Sequence, residues 1–273
     1  WRTEYECDFV ESSSNIFNPE VLRASFRRGL GFHEFGEKID NCTVGVDIGK
    51  SVNSTVISVW ATEKSTTQNV ARLVYLEEIN PKTGGHDIPY QRKRIMDVAR
   101  GFDAARLIID ATGMGGAIEQ DIRVASIESG IQFIPFIFTG GARGSKTQVY
   151  RDMVSYLQKN QVIVPDPKDL PPEQAKLVNK WYREHVDLEY VMDAADKTEK
   201  ISAPTGKHDD YCDSTAMALH GALAMLPLSG TFAAVSMPTK RNAQQSGAGW
   251  TGQGVFTSRR SKNTLNKHSP GGI

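Results

Sequence analysis

Cysteine is scarce in this chain: Cys7, Cys42 and Cys212 are the only three among 273 residues. No two of them share a metal-ligand spacing, which argues against a cysteine metal site or a disulfide framework and fits a reduced, cytoplasmic protein. Long apolar runs are missing as well. No stretch approaches the ~20 residues of a membrane span, and no signal peptide is visible, so no membrane partner is expected. A Gly-x-x-x-x-Gly-Lys-Ser/Thr phosphate loop is absent. Residues 140–147 are Gly-rich and end in Lys146-Thr147 but lack the required spacing, so nucleotide-driven motor activity cannot reside in this chain. There is no internal repeat and no net charge, with 32 basic and 32 acidic residues.

That balance hides an asymmetry. From Pro238 to Ile273 there are six Lys/Arg and no Asp or Glu, which leaves the remainder about six units negative. A basic tail suits contact with a polyanion or an acidic partner, or a solvated segment that keeps the protein soluble. Residues 229–273, rich in Gly, Ser and Asn, read as a flexible, disordered tail. Residues 1–40 read as a lead-in, with aromatics scattered among charges and a short helix expected to start at Asn18-Pro19-Glu20. The chain begins at Trp1 rather than Met, as a processed product or an excised domain would.

Between these ends, residues 41–228 read as one folded domain long enough to bury an α/β core. Apolar periodicity predicts strands over 43–48, 54–61 and 70–79, a helix over 90–102, a strand over 107–110 and a helix over 115–129. A strand over 131–138, a helix over 146–159, a brief strand over 162–164 and a helix over 171–185 follow. Two strands over 187–192 and 198–203 flank a polar turn, and an apolar helix runs over 208–226. Three strands, then alternating helices and strands, is the element order of a ribonuclease-H-like mixed sheet flanked by helices. In that order the first strand is central and the fourth lies beside it.

Three acidic segments fall at the ends of these elements. Asp47 closes the run Val44-Gly45-Val46-Asp47-Ile48-Gly49, Asp110 closes Leu107-Ile108-Ile109-Asp110, and His208-Asp209-Asp210-Tyr211-Cys212-Asp213 opens the last helix. An isolated Asp at a strand end is ordinarily a loop cap. Asp47 with Gly49, Ser51 and Thr55 also resembles the phosphate loop of actin-like and sugar-kinase ATPases, a fold that needs two such lobes and a longer chain. Asp209 and Asp210 are adjacent and repel each other; a helix start accounts for one of them, and a cation would account for both. Carboxylates brought together from two strand ends and a helix start are hard oxygen ligands suited to Mg²⁺ or Mn²⁺. Asp213, one turn on, is a further ligand, a support or a surface charge, and His208 either orients a carboxylate or the attacking water or is a solvated turn histidine.

Taken jointly, Gly-Val-Asp-Ile-Gly, Ile-Asp-Ala-Thr-Gly-x-Gly-Gly and His-Asp-Asp-x-x-Asp-Ser-x-Ala-x-Ala resemble the nuclease domain of the large terminase subunit of tailed bacteriophages. The opening Trp-Arg-Thr-Glu-Tyr-Glu-Cys-Asp-Phe is similar to the segment leaving that family's ATPase domain. The resemblance spans residues 1–228. It departs at Asn53-Ser54, where many members carry a further Asp.

What the resemblance implies is a two-metal endonuclease that cuts concatemeric viral DNA during genome packaging in the cytoplasm of the infected bacterial host. Its catalytic cluster maps onto Asp47, Asp110, Asp209 and Asp210, holding two Mg²⁺ or Mn²⁺ ions. The implied partners are double-stranded DNA, an ATPase domain, the small terminase subunit and the portal protein. Phosphate contacts are expected from Arg143, Lys146 and Arg151 around the Gly-rich segment and from Lys197 and Lys200 of the polar hairpin. Nothing in the chain resembles a base-reading helix. The competing expectations are a Holliday-junction resolvase or integrase of the same fold and a non-enzymatic DNA-binding assembly module.

Overall fold

A computed structural model describes residues 15–49, 53–64, 67–81, 87–112, 114–139, 145–192 and 199–225. Among them, seven strands form one mixed sheet. These are β1 (Phe26–Arg27), β2 (Cys42–Asp47), β3 (Thr55–Lys64), β4 (Asn69–Ile79), β5 (Arg106–Asp110), β6 (Gln132–Phe136) and β7 (Val162–Pro165). Their order is β1-β7-β4-β3-β2-β5-β6, with β2–β3–β4 antiparallel and β5 parallel to β2. The helices are α1 (Pro19–Ala24), α2 (Ile88–Gly101), α3 (Gly116–Glu128), α4 (Ser145–Gln158), α5 (Pro172–Asp187) and α6 (Asp210–Leu219). A separate antiparallel pair joins β8 (Glu189–Met192) to β9 (Glu199–Ser202). This is the ribonuclease-H-like arrangement, with the expected first strand central and the fourth beside it.

Alternation along β2 divides the core. Cys42, Val44 and Val46 point to one face, where they pack with Ile95, Val98 and Ala99 of α2 and Ile122 of α3. Thr43, Gly45 and Asp47 point to the other, toward α6. That helix is buried along its whole length, its polar Asp210, Asp213, Ser214 and Thr215 included.

Gly45 sets how closely α6 approaches. A methyl group there would lie 2.2 Å from the Ser214 carbonyl oxygen and 2.8 Å from Ala218 Cβ. Ser214 Oγ donates to the Gly45 carbonyl at 3.0 Å and pairs with Ser58 Oγ at 2.8 Å, so the contact is pinned as well as close. Gly45→Ala is therefore expected to cost about 1–3 kcal/mol by overpacking. Each kcal/mol lowers a domain of this size by about 2–4 °C. A Gly45→Ala protein that melts like the parent in a thermal scan would contradict this packing.

The expected elements are present, with shifted ends. The short helix begins where expected, with Asn18 Oδ1 accepting from Glu20 N at 2.7 Å. The expected lead-in is, from residue 15 onward, built into the same fold. Phe17 and Leu22 are buried in the core with Trp181 and Tyr150, and β1 pairs with β7. The last helix starts at Asp210 rather than 208 and widens after Leu219 into a π-helical turn, His220–Ala224. There Gly221 lies against Ile108 and Thr43, and the Gly221 and Met225 carbonyls accept from the Arg106 guanidinium at 3.1 and 3.3 Å. The expected tail, 229–273, and residues 1–14 lie outside the described residues.

Candidate metal centre

Strand register places the first two acidic motifs side by side. Val46 is paired with Ile109, so Asp47 and Asp110 end neighbouring parallel strands one step further on. Adjacent strands are about 4.8 Å apart. The row continues across the antiparallel strands, Asp47 opposite Val56 and Val56 opposite Glu78, all on the face that α6 covers. Asp110 Oδ1 accepts from Thr112 N at 2.7 Å, which holds the turn that follows β5. The loop after Asp47 is held by Gly49 N donating to Thr55 Oγ1 at 2.9 Å.

The third motif arrives from α6. Asp209 occupies its N-cap position, Asp210 and Asp213 lie in its first turn, and both of the latter are buried. Lys146, from the first turn of α4, reaches in between them. Its Nζ lies 2.8 Å from Asp209 Oδ2 and 2.8 Å from Asp213 Oδ2. The Tyr150 hydroxyl, one turn along α4, donates to Asp213 Oδ1.

These groups crowd one another electrostatically. Loss of hydration pushes the Asp47 carboxyl well above the usual carboxylate range, and Asp213, Asp210, Asp110 and Asp209 each push it further. Burial also raises Asp210 and Asp213, each to about 6. His208 and Lys180 oppose the rise at Asp210, and Lys146 opposes it at Asp213. Burial alone would lower the Lys146 ammonium, but Asp213 and Asp209 outweigh it and hold it charged.

The donor set suits a hard dication: every candidate ligand is a carboxylate oxygen, and their repulsion is of the kind that a cation relieves. Among the described residues, no group of three or more His, Cys, Asp or Glu side chains is arranged so that it could hold a metal ion. The positive charge at the helix start is instead the ammonium of Lys146.

A second cluster adjoins the first and was not foreseen from the sequence. Glu78 Oε1 accepts from Ser54 Oγ and from Lys180 Nζ, both at 2.6 Å, and Glu78 Oε2 accepts from the Tyr211 hydroxyl at 3.0 Å. Glu184, 6% exposed, accepts from Tyr211 N at 2.9 Å through Oε2, while its Oε1 has no hydrogen bond and lies 3.9 Å from Lys180 Nζ. Burial raises Glu184 to about 8 against the opposing pull of the Tyr211 amide and Lys180. One signal was available: Glu184 stands on the buried stripe of α5 with Val178, Trp181 and His185, an acid where the helical period calls for an apolar residue.

The other expected residues are less central. His208 is exposed, and its effect on the site is to oppose the rise at Asp210. Arg151 is exposed on α4. Lys146, expected at the DNA, is committed to Asp209 and Asp213. Lys200 lies on β9, and Arg143 and Lys197 fall outside the described residues.

No protein-family model and no curated protein matches the chain. Solved structures do. The large terminase nuclease from thermophilic phage G20c with bound magnesium superposes with a TM-score of 0.55 at 21% identity, over 75% of this chain and 95% of that one. The nuclease domain of the large terminase subunit of bacterial virus Sf6 gives 0.57 at 12% identity, over 76% and 98%. A mutant of the Sf6 domain with manganese gives 0.53 at 12%, over 76% and 99%. At these identities the likeness is one of fold, and this chain has the ribonuclease-H-like fold found in large terminase nuclease domains.

Proposed function

We propose that this chain is a divalent-metal-dependent endonuclease acting on double-stranded DNA during phage genome packaging. What supports the reading is that Asp47 and Asp110 end the neighbouring strands β2 and β5 while Asp209, Asp210 and Asp213 stand at the start of α6 on the same face, so that all four act electrostatically on Asp47. Asp47, Asp110 and the Asp209/Asp210 pair would hold two Mg²⁺ or Mn²⁺ ions, with Asp213 a further oxygen donor. Such ions, when bound, lower the pKa of water and neutralise charge on the leaving oxygen.

The chain's own residues supply the rest. β2 and β5 fix the spacing of Asp47 and Asp110, and Gly45 lets the α6 carboxylates come within reach of them. Lys146 offsets the charge of Asp209 and Asp213, and a phosphate is the natural alternative partner for its ammonium. Arg143, Arg151, Lys197 and Lys200 are the proposed backbone contacts, which would grip DNA without reading its sequence. Cut position would then be set by partners: an ATPase domain, the small terminase subunit and the portal, in the cytoplasm of the infected host. Among the described residues no helix is long and apolar enough to cross a membrane.

A pH dependence follows. With Asp210 and Asp213 at about 6, metal must displace protons at low pH, so cleavage and Mn²⁺-induced stabilisation should both rise through pH 6. The metal-free protein responds oppositely. These carboxyls stay protonated in the folded state above their ordinary 3.8, so their contribution to stability falls as pH rises from about 4 to about 6. Thermal scans with Mn²⁺ or EDTA between pH 5 and pH 8 check this, and an Mn²⁺ shift as large at pH 5 as at pH 8 would refute it.

The direct test is incubation with supercoiled plasmid in Mn²⁺, Mg²⁺ or EDTA, beside an Asp47→Ala control. Nicking and linearisation that need metal and vanish in the control are expected. Cleavage by folded Asp47→Ala protein would sink the assignment. A second reading, a DNA-binding assembly module, draws on Lys146 already filling the space between Asp209 and Asp213. Its signature is DNA retention without metal-dependent cutting.

A further inference from the structure

The N-terminus of α6 has an acceptor problem. Asp209 holds the N-cap position, where an Asp ordinarily turns its carboxylate back onto the amides of the first turn, yet its side chain makes no capping hydrogen bond. That carboxylate points instead to Lys146 Nζ. The second amide of the helix, Tyr211 N, is satisfied from another element: it donates to Glu184 Oε2 at 2.9 Å, across from α5. The same residue is held at its far end by Glu78, which accepts from the Tyr211 hydroxyl at 3.0 Å and is itself tied to Lys180 and Ser54. Trp181 Nε1 donates to Thr215 Oγ1 at 2.9 Å one turn further on, so α5 and α6 are locked along the contact.

We propose that Glu184 is a positioning residue: it caps α6 in place of Asp209 and so leaves the Asp209 carboxylate turned toward the metal centre. The inference rests on Asp209 being a metal ligand, as proposed above. Without Glu184 the Tyr211 amide has no acceptor in a buried setting, and Asp209 is the side chain placed to turn back and satisfy it. A carboxylate engaged in capping must be pulled away by metal, so the metal requirement rises while the ion-saturated enzyme recovers.

Two measurements test this, and the first does not depend on activity. In a double-mutant cycle of folding stability in EDTA, Asp209→Ala should lower the folding constant about fivefold more in a Glu184→Ala background than in the parent, because only there does Asp209 cap the helix. Equal effects in the two backgrounds would overturn the proposal. In the second, the Mn²⁺ concentration for half-maximal plasmid cleavage should rise about tenfold in Glu184→Ala, with the rate at saturating Mn²⁺ little changed. Glu184→Gln retains an acceptor oxygen and should fold with the parent's Mn²⁺ requirement, so the Gln arm decides the matter even if the alanine variant fails to fold. A Gln variant impaired in Mn²⁺ requirement, or an alanine variant with the parent's requirement, would refute the capping role. If the parent protein itself does not cleave DNA, the nuclease reading fails and the stability cycle still judges the cap.

Discussion

Asp47→Asn is expected to abolish metal-dependent cleavage and, in EDTA, to make the protein more stable. The loss follows from position. Asp47 is the carboxylate that the other four all act upon, and metal-held charge stabilisation worth several kcal/mol corresponds to roughly a thousandfold or more in rate. The gain follows from the same crowding. A carboxyl held well above its usual range costs the folded state free energy whenever it ionises, and the isosteric amide removes that cost. A gain of about 1 kcal/mol would raise melting by about 2–4 °C in a domain of this size. Plasmid cleavage and a thermal scan in EDTA on one preparation check both halves. Asn protein that melts lower than the parent, or that still cuts, would mean that Asp47 is not the centre of the cluster.

Lys146→Met should have the opposite effect on the metal-free protein. Methionine keeps much of the side-chain bulk beside Phe138 and Tyr150 but removes the ammonium that lies 2.8 Å from both Asp209 and Asp213. Asp213 is then a buried carboxylate that keeps the Tyr150 hydroxyl as a hydrogen-bond donor, and Asp209 keeps its partial exposure. Breaking a buried pair by removing one partner costs about 3 kcal/mol or more, equivalent to a fall in melting of roughly 10 °C. Mn²⁺ should recover much of that loss and give a larger thermal shift than in the parent, because no ammonium competes for Asp209 and Asp213. A Lys146→Met protein that melts with the parent in EDTA would show that the lysine does not offset the cluster.

The parts of this architecture that a local pattern can encode were readable in the sequence. The apolar run before Asp47, the short run before Asp110 and the apolar helix after Asp210 located three elements and their carboxylates, and element order supplied the strand adjacency that periodicity cannot. What escaped was long-range pairing. Nothing local ties Lys146 to Asp209, 63 residues away, and its neighbourhood of glycines and basic residues suggested a phosphate contact instead. The approach distance at Gly45 depends on Ser214 and Ala218 of α6, which no strand pattern reveals. Glu184 left a local trace as an acid on a buried helical stripe, but its partner, the Tyr211 amide, is visible only once α5 and α6 are packed together. The lead-in behaved similarly. Phe17 reads in the sequence as one of several aromatics scattered among charges, and only the tertiary structure gives it and Leu22 a core to enter.

The measurement that tests the central claim most directly is anomalous diffraction at the manganese edge from crystals soaked in Mn²⁺. Anomalous peaks are expected between the ends of β2 and β5 and the start of α6, in contact with Asp47 and Asp110, with Lys146 Nζ withdrawn from Asp209. Fully soaked crystals with no peak at Asp47, or with manganese bound only elsewhere on the surface, would contradict the assignment of this cluster as a metal centre.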